Sequence, residues 1–118
     1  MLMATTNIFA ETFTLNGLNY LTTSSGTVKI ISVENKDELF SVIIPSTVAY
    51  NSKDYRVTKI ENNVFEQCPV LSSVTFDKES NLEQIGESVF LSCIPLESRN
   101  FVRNVWAGRS IRLPYAHN

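Results

Sequence analysis

Two stretches of the chain set their apolar residues in the same slots. "IENNVFEQCPVL" spans 60–71 and "IGESVFLSCIPL" spans 85–96. Extending the alignment back to Val57 and Leu82 gives six matched pairs, each 25 residues apart: Val57/Leu82, Ile60/Ile85, Val64/Val89, Phe65/Phe90, Cys68/Cys93 and Leu71/Leu96. A unit of about 20–30 residues cannot bury its apolar side alone, so it stacks on a copy of itself and equivalent slots become ladders inside the stack. The pattern predicts a solenoid. The competing reading is a pair of similar helix–loop segments in an unrelated small fold.

Between these phrases the period changes to two, the signature of a half-buried strand. "LSSVTF" (71–76) alternates Val74 inward, Thr75 outward, Phe76 inward. "LFSVIIP" (39–45) has the same shape, with Val42 and Ile44 inward and Ile43 outward, and Leu39 falls on Leu71 at a spacing of 32. The longer spacing has a home in "STVAYNSKDYRVTKI" (46–60), an inserted β-hairpin. Its predicted turn is Asn51-Ser52-Lys53-Asp54, between Val48/Tyr50 and Tyr55/Val57. Residues 11–34 read as a β-meander. Asn16-Gly17 is a type I′ turn signal and Ser24-Ser25-Gly26 a second turn. Such a meander caps the open end of a stack, which otherwise exposes its core and an unpaired edge.

After Leu96 the pattern degrades. A period of 25 predicts a strand in "LESRNF" (96–101), but that puts Arg99 in the inward slot of Val74, and burying an unpaired Arg is costly. "SIRLP" (110–114) matches "SVIIP" (41–45) better, with Ile111 and Leu113 inward and Arg112 outward; residues 97–109, with Trp106, are then an insertion. The tail as a C-terminal cap is a third option. The expected fold is mainly β, a short right-handed solenoid in one domain (1–118). It comprises an N-terminal cap (11–34), repeats (35–98) with the hairpin at 46–60, and an atypical C-terminal repeat or cap (99–118).

Length and composition fit this plan. The chain has 118 residues, 43% hydrophobic and 19% charged, an ordinary globular balance. A net charge of −2, with no cluster of cations beyond Arg103, Arg109 and Arg112 near the C-terminus, argues against nucleic acid or an anionic membrane as partner. No segment has the length and apolarity of a membrane span, and "MLMATTNIFAET" lacks the basic start and apolar stretch of a secretory signal. The chain is therefore read as cytosolic or as a mature form whose signal has been removed.

At this point the residues resemble a known pattern. Ile-x-x-x-Val-Phe-x-x-Cys-x-x-Leu-x-x-Val-x-Phe, preceded by Ser-Val-Ile-Ile-Pro-Ser-Thr-Val, is similar to the BspA-type (Treponema pallidum-type) leucine-rich repeats, and "IGESVFLSCIPL" matches them nearly slot by slot. The resemblance covers about residues 39–98. "SVIIPSTVAYNSKDYRVTKI" looks like the hairpin-bearing first coil of such domains in Bacteroides-like bacteria, and 11–34 like their N-terminal cap. It implies an α/β leucine-rich-repeat stack and an adhesion or interaction role on the cell surface or in secretion. The family strings many coils together, whereas this chain offers two clear phrases.

Little in the sequence carries chemistry. Cys68 and Cys93 occupy equivalent slots. The leading expectation is a ladder of small buried thiols. A disulfide is the alternative, set against the wide, helical side of such coils, where the spacing exceeds the roughly 5.5 Å Cα distance a disulfide favours; redox or metal roles come last. Two cysteines and His117, next to the C-terminus, make no zinc site, and a terminal histidine is poorly held for general-base work. No nucleophile elbow, phosphate-cradling loop or HExxH helix is present, and Gly17, Gly26, Gly86 and Gly108 read as turn positions. Carboxylates such as Asp37, Glu38, Glu79 and Glu83 read as a solvated rim.

What remains is a surface. The outward strand slots Ser41, Ile43, Ser73 and Thr75, followed by Arg112 or Asn100, line the sheet where solenoids meet partners, and Tyr50 and Tyr55 of the hairpin suit an interface. The competing view makes them plain β-formers, with the tyrosines packed on the coil's flank. The expected function is a non-enzymatic interaction or adhesion module without cofactor or metal, binding protein (host or matrix) or glycan, and neither nucleic acid nor a membrane interior. The alternative is an assembly unit that self-associates, as a homodimer, through the open solenoid end.

Overall fold

A computed structural model describes residues 10–24, 26–99, 104–106 and 109–111. The chain begins as the expected meander: β1 (Thr12–Leu15), β2 (Leu18–Ser24) and β3 (Thr27–Val33), joined antiparallel. Asn16 and Gly17 close the first hairpin with φ of 51° and 81°, the double left-handed geometry of a type I′ turn. Of the second expected turn, Ser25 lies outside the described residues, and Gly26 is left-handed at φ 82°.

Three levels then stack. The first runs from β3 through a 3₁₀ turn (Lys36–Glu38) to β4 (Ser41–Ile44). After the hairpin strand β5 (Thr47–Tyr50), the second level runs from the far half of β6 (Lys53–Ile60) through turns at 62–67 to β7 (Ser73–Phe76). The third begins with β8 (Gln84–Ile85) and repeats the turns at 87–92.

Each side of the stack has its own ladder. On one side β3, β6 and β8 lie parallel, with Ile30 on Ile60 and Ile60 on Ile85. On a second, β4 and β7 pair in parallel from Ser41↔Ser73 to Ile44↔Phe76, the predicted offset of 32. The third side consists of turns, not the helix expected there. Backbone hydrogen bonds still cross it, from Asn63 N to Glu87 O (3.0 Å), Phe65 N to Val89 O (3.0 Å) and Gln67 N to Leu91 O (2.7 Å). These turns keep their repeat in backbone conformation: Asn63 and Ser88, then Gln67 and Ser92, are left-handed at positions 25 apart.

The core is the interior of this stack. Val57, Ile60, Val64, Phe65, Cys68, Leu71, Leu82, Val89, Phe90, Cys93 and Leu96 are all buried. The Phe65 and Phe90 rings stack with centroids 5.5 Å apart and planes within 3°. Val42, Ile44, Val74 and Phe76 point inward from the second ladder, as their alternation requires.

Four expectations are corrected. The hairpin turn is two residues, not four: Asn51 and Ser52 both take positive φ (53° and 62°), Tyr50 pairs with Lys53, and Lys53 and Asp54 continue the strand. Asparagine tolerates the left-handed region, so the tighter turn closes. β3 does more than end a meander. Its Val28 and Ile30 sit on Val57 and Ile60, extending the ladder one level.

Gly86 is not a turn glycine. A Cβ there would meet Asn62 Oδ1, with Asn62 N at 2.6 Å and Glu61 C at 2.8 Å, while its N–H donates to Ile60 O at 2.8 Å. Only a residue without a side chain fits so close to the coil below. Last, 94–99 is a helix, α1 (Ile94–Arg99), rather than a strand. Pro95 lacks the N–H a central strand needs but fits a helix's first turn. The following strands, β9 (Asn104–Trp106) and β10 (Arg109–Ile111), form an antiparallel pair with β9 alongside β7. Ser110 and Ile111 of the "SIRLP" expectation are in β10; Arg112–Pro114 lie outside the described residues, as do Asn100, Arg103, Gly108 and His117.

Two predictions follow from the packing. Gly86→Ala lowers unfolding free energy by about 1–3 kcal/mol, as overpacking does, and Phe65→Ala by about 3–5 kcal/mol, both read from urea denaturation. A loss under about 0.5 kcal/mol for Gly86→Ala would contradict the close approach, since that is the range of surface substitutions. The second concerns acid. Glu61 bonds Lys29 across the β3–β6 boundary and lies 3.7 Å from Lys59. The Lys29 hydrogen bond, more than the charges of Lys29 and Lys59, holds its carboxyl below the ordinary carboxylate range. A depressed carboxylate stabilises the fold above its ordinary pKa, and that stability disappears as pH falls through the depressed value. Between about pH 6 and about pH 3, wild type therefore loses more stability than Glu61→Gln, by about 1 kcal/mol for a pair still partly open to solvent. Parallel pH curves for the two chains would remove the ion pair from the account.

Candidate interaction surface

The β4–β7 sheet turns Val42, Ile44, Val74 and Phe76 to the core, so Ser41, Ile43, Ser73 and Thr75 must face out. All four are exposed, and the register sets Ser41 beside Ser73 and Ile43 beside Thr75. Ile43 is 67% exposed. Phe40, one residue before β4, is 64% exposed and its carbonyl accepts the Ser72 N–H at 2.8 Å. Val70, ahead of β7, and Ile94, at the start of α1, are also exposed.

Phe40 was missed by the sequence reading. Alternation would not have found it: residue 40 has the parity of the inward Val42 and Ile44, and it is exposed because β4 begins only at Ser41. This face carries no charged side chain on its strands. The opposite ladder differs, pairing Lys29 with Lys59 and Lys59 with Gln84, with Glu61 bonded to Lys29.

Tyr50 and Tyr55 do not join this face. They project from the β5–β6 hairpin into an aromatic cluster with Phe13 of β1: Phe13 stacks on Tyr50 at 4.1 Å and on Tyr20 at 5.3 Å, and Tyr55 lies 6.3 Å from Phe13. Both tyrosines are half-buried, and Lys53 Nζ sits 5.3 Å over the Tyr55 ring. Desolvation, then the neighbouring Glu11 carboxylate, raises the Tyr50 phenol above its usual range; burial does the same, more strongly, to Tyr20. The candidate residues thus divide between two places, and Arg112 lies outside the described residues.

Cys68 and Cys93 are fully buried free thiols. Cys93 Sγ donates to Phe65 O at 2.9 Å. The neighbouring Cys93, then burial, pushes Cys68 far above the ordinary thiol range, while Cys68 favours a Cys93 thiolate against the opposing cost of burial. The opposite directions describe one coupled pair, in which ionising one thiol keeps the other protonated. Among the described residues, no group of three or more His, Cys, Asp or Glu is placed to hold a metal ion, and no helix is long and apolar enough to cross a membrane.

The stacked architecture has counterparts among solved structures. A leucine-rich repeat protein from Bacteroides capillosus matches with a TM-score of 0.62 at 22% identity, over 73% of this chain and 62% of that one. A leucine rich cell surface protein from Faecalibacterium prausnitzii matches with a TM-score of 0.51 at 20% identity, over 86% of this chain and 33% of that one. The chain thus spans less than two thirds of either relative's length. These likenesses show the fold. A comparison with curated proteins finds no match. The family model for the BspA type leucine rich repeat region matches residues 4–107 in six copies, starting well before the two phrases visible by eye. With its ladders, its repeated left-handed turns and that match over most of its length, the chain belongs to the BspA type leucine rich repeat family.

Proposed function

We propose that this chain is a non-enzymatic interaction module, acting at the cell surface or after secretion, whose contact face is the outer side of β4–β7. One observation carries the reading: an uncharged sheet face exposes Ile43 among Ser41, Ser73 and Thr75, and Phe40, just ahead of β4, is exposed as well. Exposed apolar side chains ringed by polar residues on a rigid scaffold are the usual form of a protein contact. The surface location draws support from the family and from the cell surface protein of Faecalibacterium prausnitzii, whose fold this chain shares. The partner classes that fit are an adhesion target, host or matrix protein first and glycan second.

The test is a panel of immobilised matrix proteins and glycans probed with the folded chain. Ile43→Asp and Phe40→Asp each weaken capture at least about tenfold, whereas Lys59→Ala on the opposite ladder leaves it unchanged. Capture of nothing on the panel, or equal loss from the Lys59 control, would count against this face.

A second reading rests on β4 itself. Among the described residues its sheet partner is β7 alone, leaving the other edge without a strand. An open edge is a template for a strand of a second copy, which would make the chain an assembly unit. Light scattering over a wide concentration range checks it: a constant monomer mass ends that reading, and a dimer abolished by Val42→Pro supports it.

A further inference from the structure

The expectation against a cystine rested on a wide, helical side of the coil. That side is instead a set of turns bridged by backbone hydrogen bonds at 2.7 and 3.0 Å, from Gln67 N to Leu91 O and from Phe65 N to Val89 O. Such bonds hold neighbouring chains about 4.8 Å apart, inside the roughly 4.4–6.8 Å Cα window of disulfides. Cys68 and Cys93 occupy equivalent positions just beyond these bonds, and both point into the core. The Phe65–Phe90 stack, three residues upstream, fixes their register. Cys93 Sγ donates to Phe65 O at 2.9 Å, which sets its sulfur against the backbone of the level that carries Cys68, three residues before it. Both thiols are fully buried and aligned by the repeat, and among the described residues they are the only sulfurs.

We propose that Cys68 and Cys93 form a redox-convertible pair, oxidised by a small-molecule disulfide to a cystine that joins the second level of the stack to the third. One thiolate attacks the oxidant's S–S bond, forming a mixed disulfide and releasing one small thiol. The second cysteine then attacks the protein sulfur, forms the Cys68–Cys93 bond and releases the other small thiol. The two protein protons end on the released thiols, and the two electrons leave with them. The cystine closes a loop across the 25-residue repeat, which stabilises the fold by restricting the unfolded chain. Because both sulfurs are buried, oxidation of the native chain proceeds through transient opening of the third level and is slow without denaturant.

The experiment uses the full chain, incubated with reduced and oxidised glutathione both natively and during refolding from urea. Intact-mass measurement should show a monomer lighter by the two thiol hydrogens, with both thiols lost to titration. Digestion should give one peptide pair joining Cys68 to Cys93, and dithiothreitol should reverse the change. The melting temperature of the oxidised form should rise by roughly 5 °C or more. Cys68→Ala and Cys93→Ala should each give only the glutathione adduct of the remaining thiol. The proposal is overturned if wild type keeps both thiols after oxidative refolding, carries two separate glutathione adducts, or links only between chains. It is equally overturned if the cystine forms but lowers the melting temperature.

Discussion

Everything else in this molecule depends on the hydrogen bonding of one coil to the next on every side. Two sides are ordinary parallel ladders. The third has no regular structure, yet its turns are bonded between levels at Asn63, Phe65 and Gln67. A coil clamped on three sides cannot tilt or slide against its neighbour. Equivalent side chains are then held at strand-like spacing, and each must fit beneath its own copy. Phe on Phe stacks flat, and the two small cysteines at the next equivalent slot are fully buried. The repeat in sequence is the outcome of that spacing. Gly86 shows the same constraint from the backbone's side, since there the coils approach too closely for any side chain.

A stack so built needs ends. Among the described residues, the first level ends in polar and aromatic devices rather than another coil. Lys36, 32 residues before Cys68, donates from its Nζ to Glu66 O at 2.8 Å, meeting a carbonyl on the turn side. The β1–β2 hairpin covers β3, and Phe13, Tyr20, Tyr50 and Tyr55 join that cover to the hairpin of the second level. Tyr20 is buried beneath this cluster. The two tyrosines that looked like interface residues thus have work to do in closing the fold.

What was legible in the sequence followed a constant spacing. The 25-residue pairs, the 32-residue offset between β4 and β7 and the Asn16-Gly17 turn are all local or periodic signals. What escaped breaks the period or depends on contact. β3 stacks on β6 at offsets of 29 and 30, because a bulge between Val28 and Lys29 shifts the register, so no single alignment finds it. The glycine at 86 could not be told from a turn glycine without seeing Asn62 below it. The short turn at Asn51-Ser52 turned on Ser52 accepting a left-handed backbone, which no composition rule favours. Of the candidate surface, the four strand positions followed from alternation alone, while the tyrosines could be placed only once Phe13 was seen beside them.

This division explains why the architecture could be read and the ligand could not. Inward positions are fixed by the stack: a change at Phe65 or Cys93 is felt by the coil beside it, so the pattern is written in every repeat. Outward positions on β4 and β7 lie beside their equivalents but face solvent, so no packed core constrains them. They are free to differ from coil to coil, as Ile43 beside Thr75 already does. The proposed contact face accordingly lies among positions that do not repeat. The uncharged, apolar-centred β4–β7 face and the lysine-bearing opposite ladder are two such departures, and only the first exposes side chains that gain by being covered.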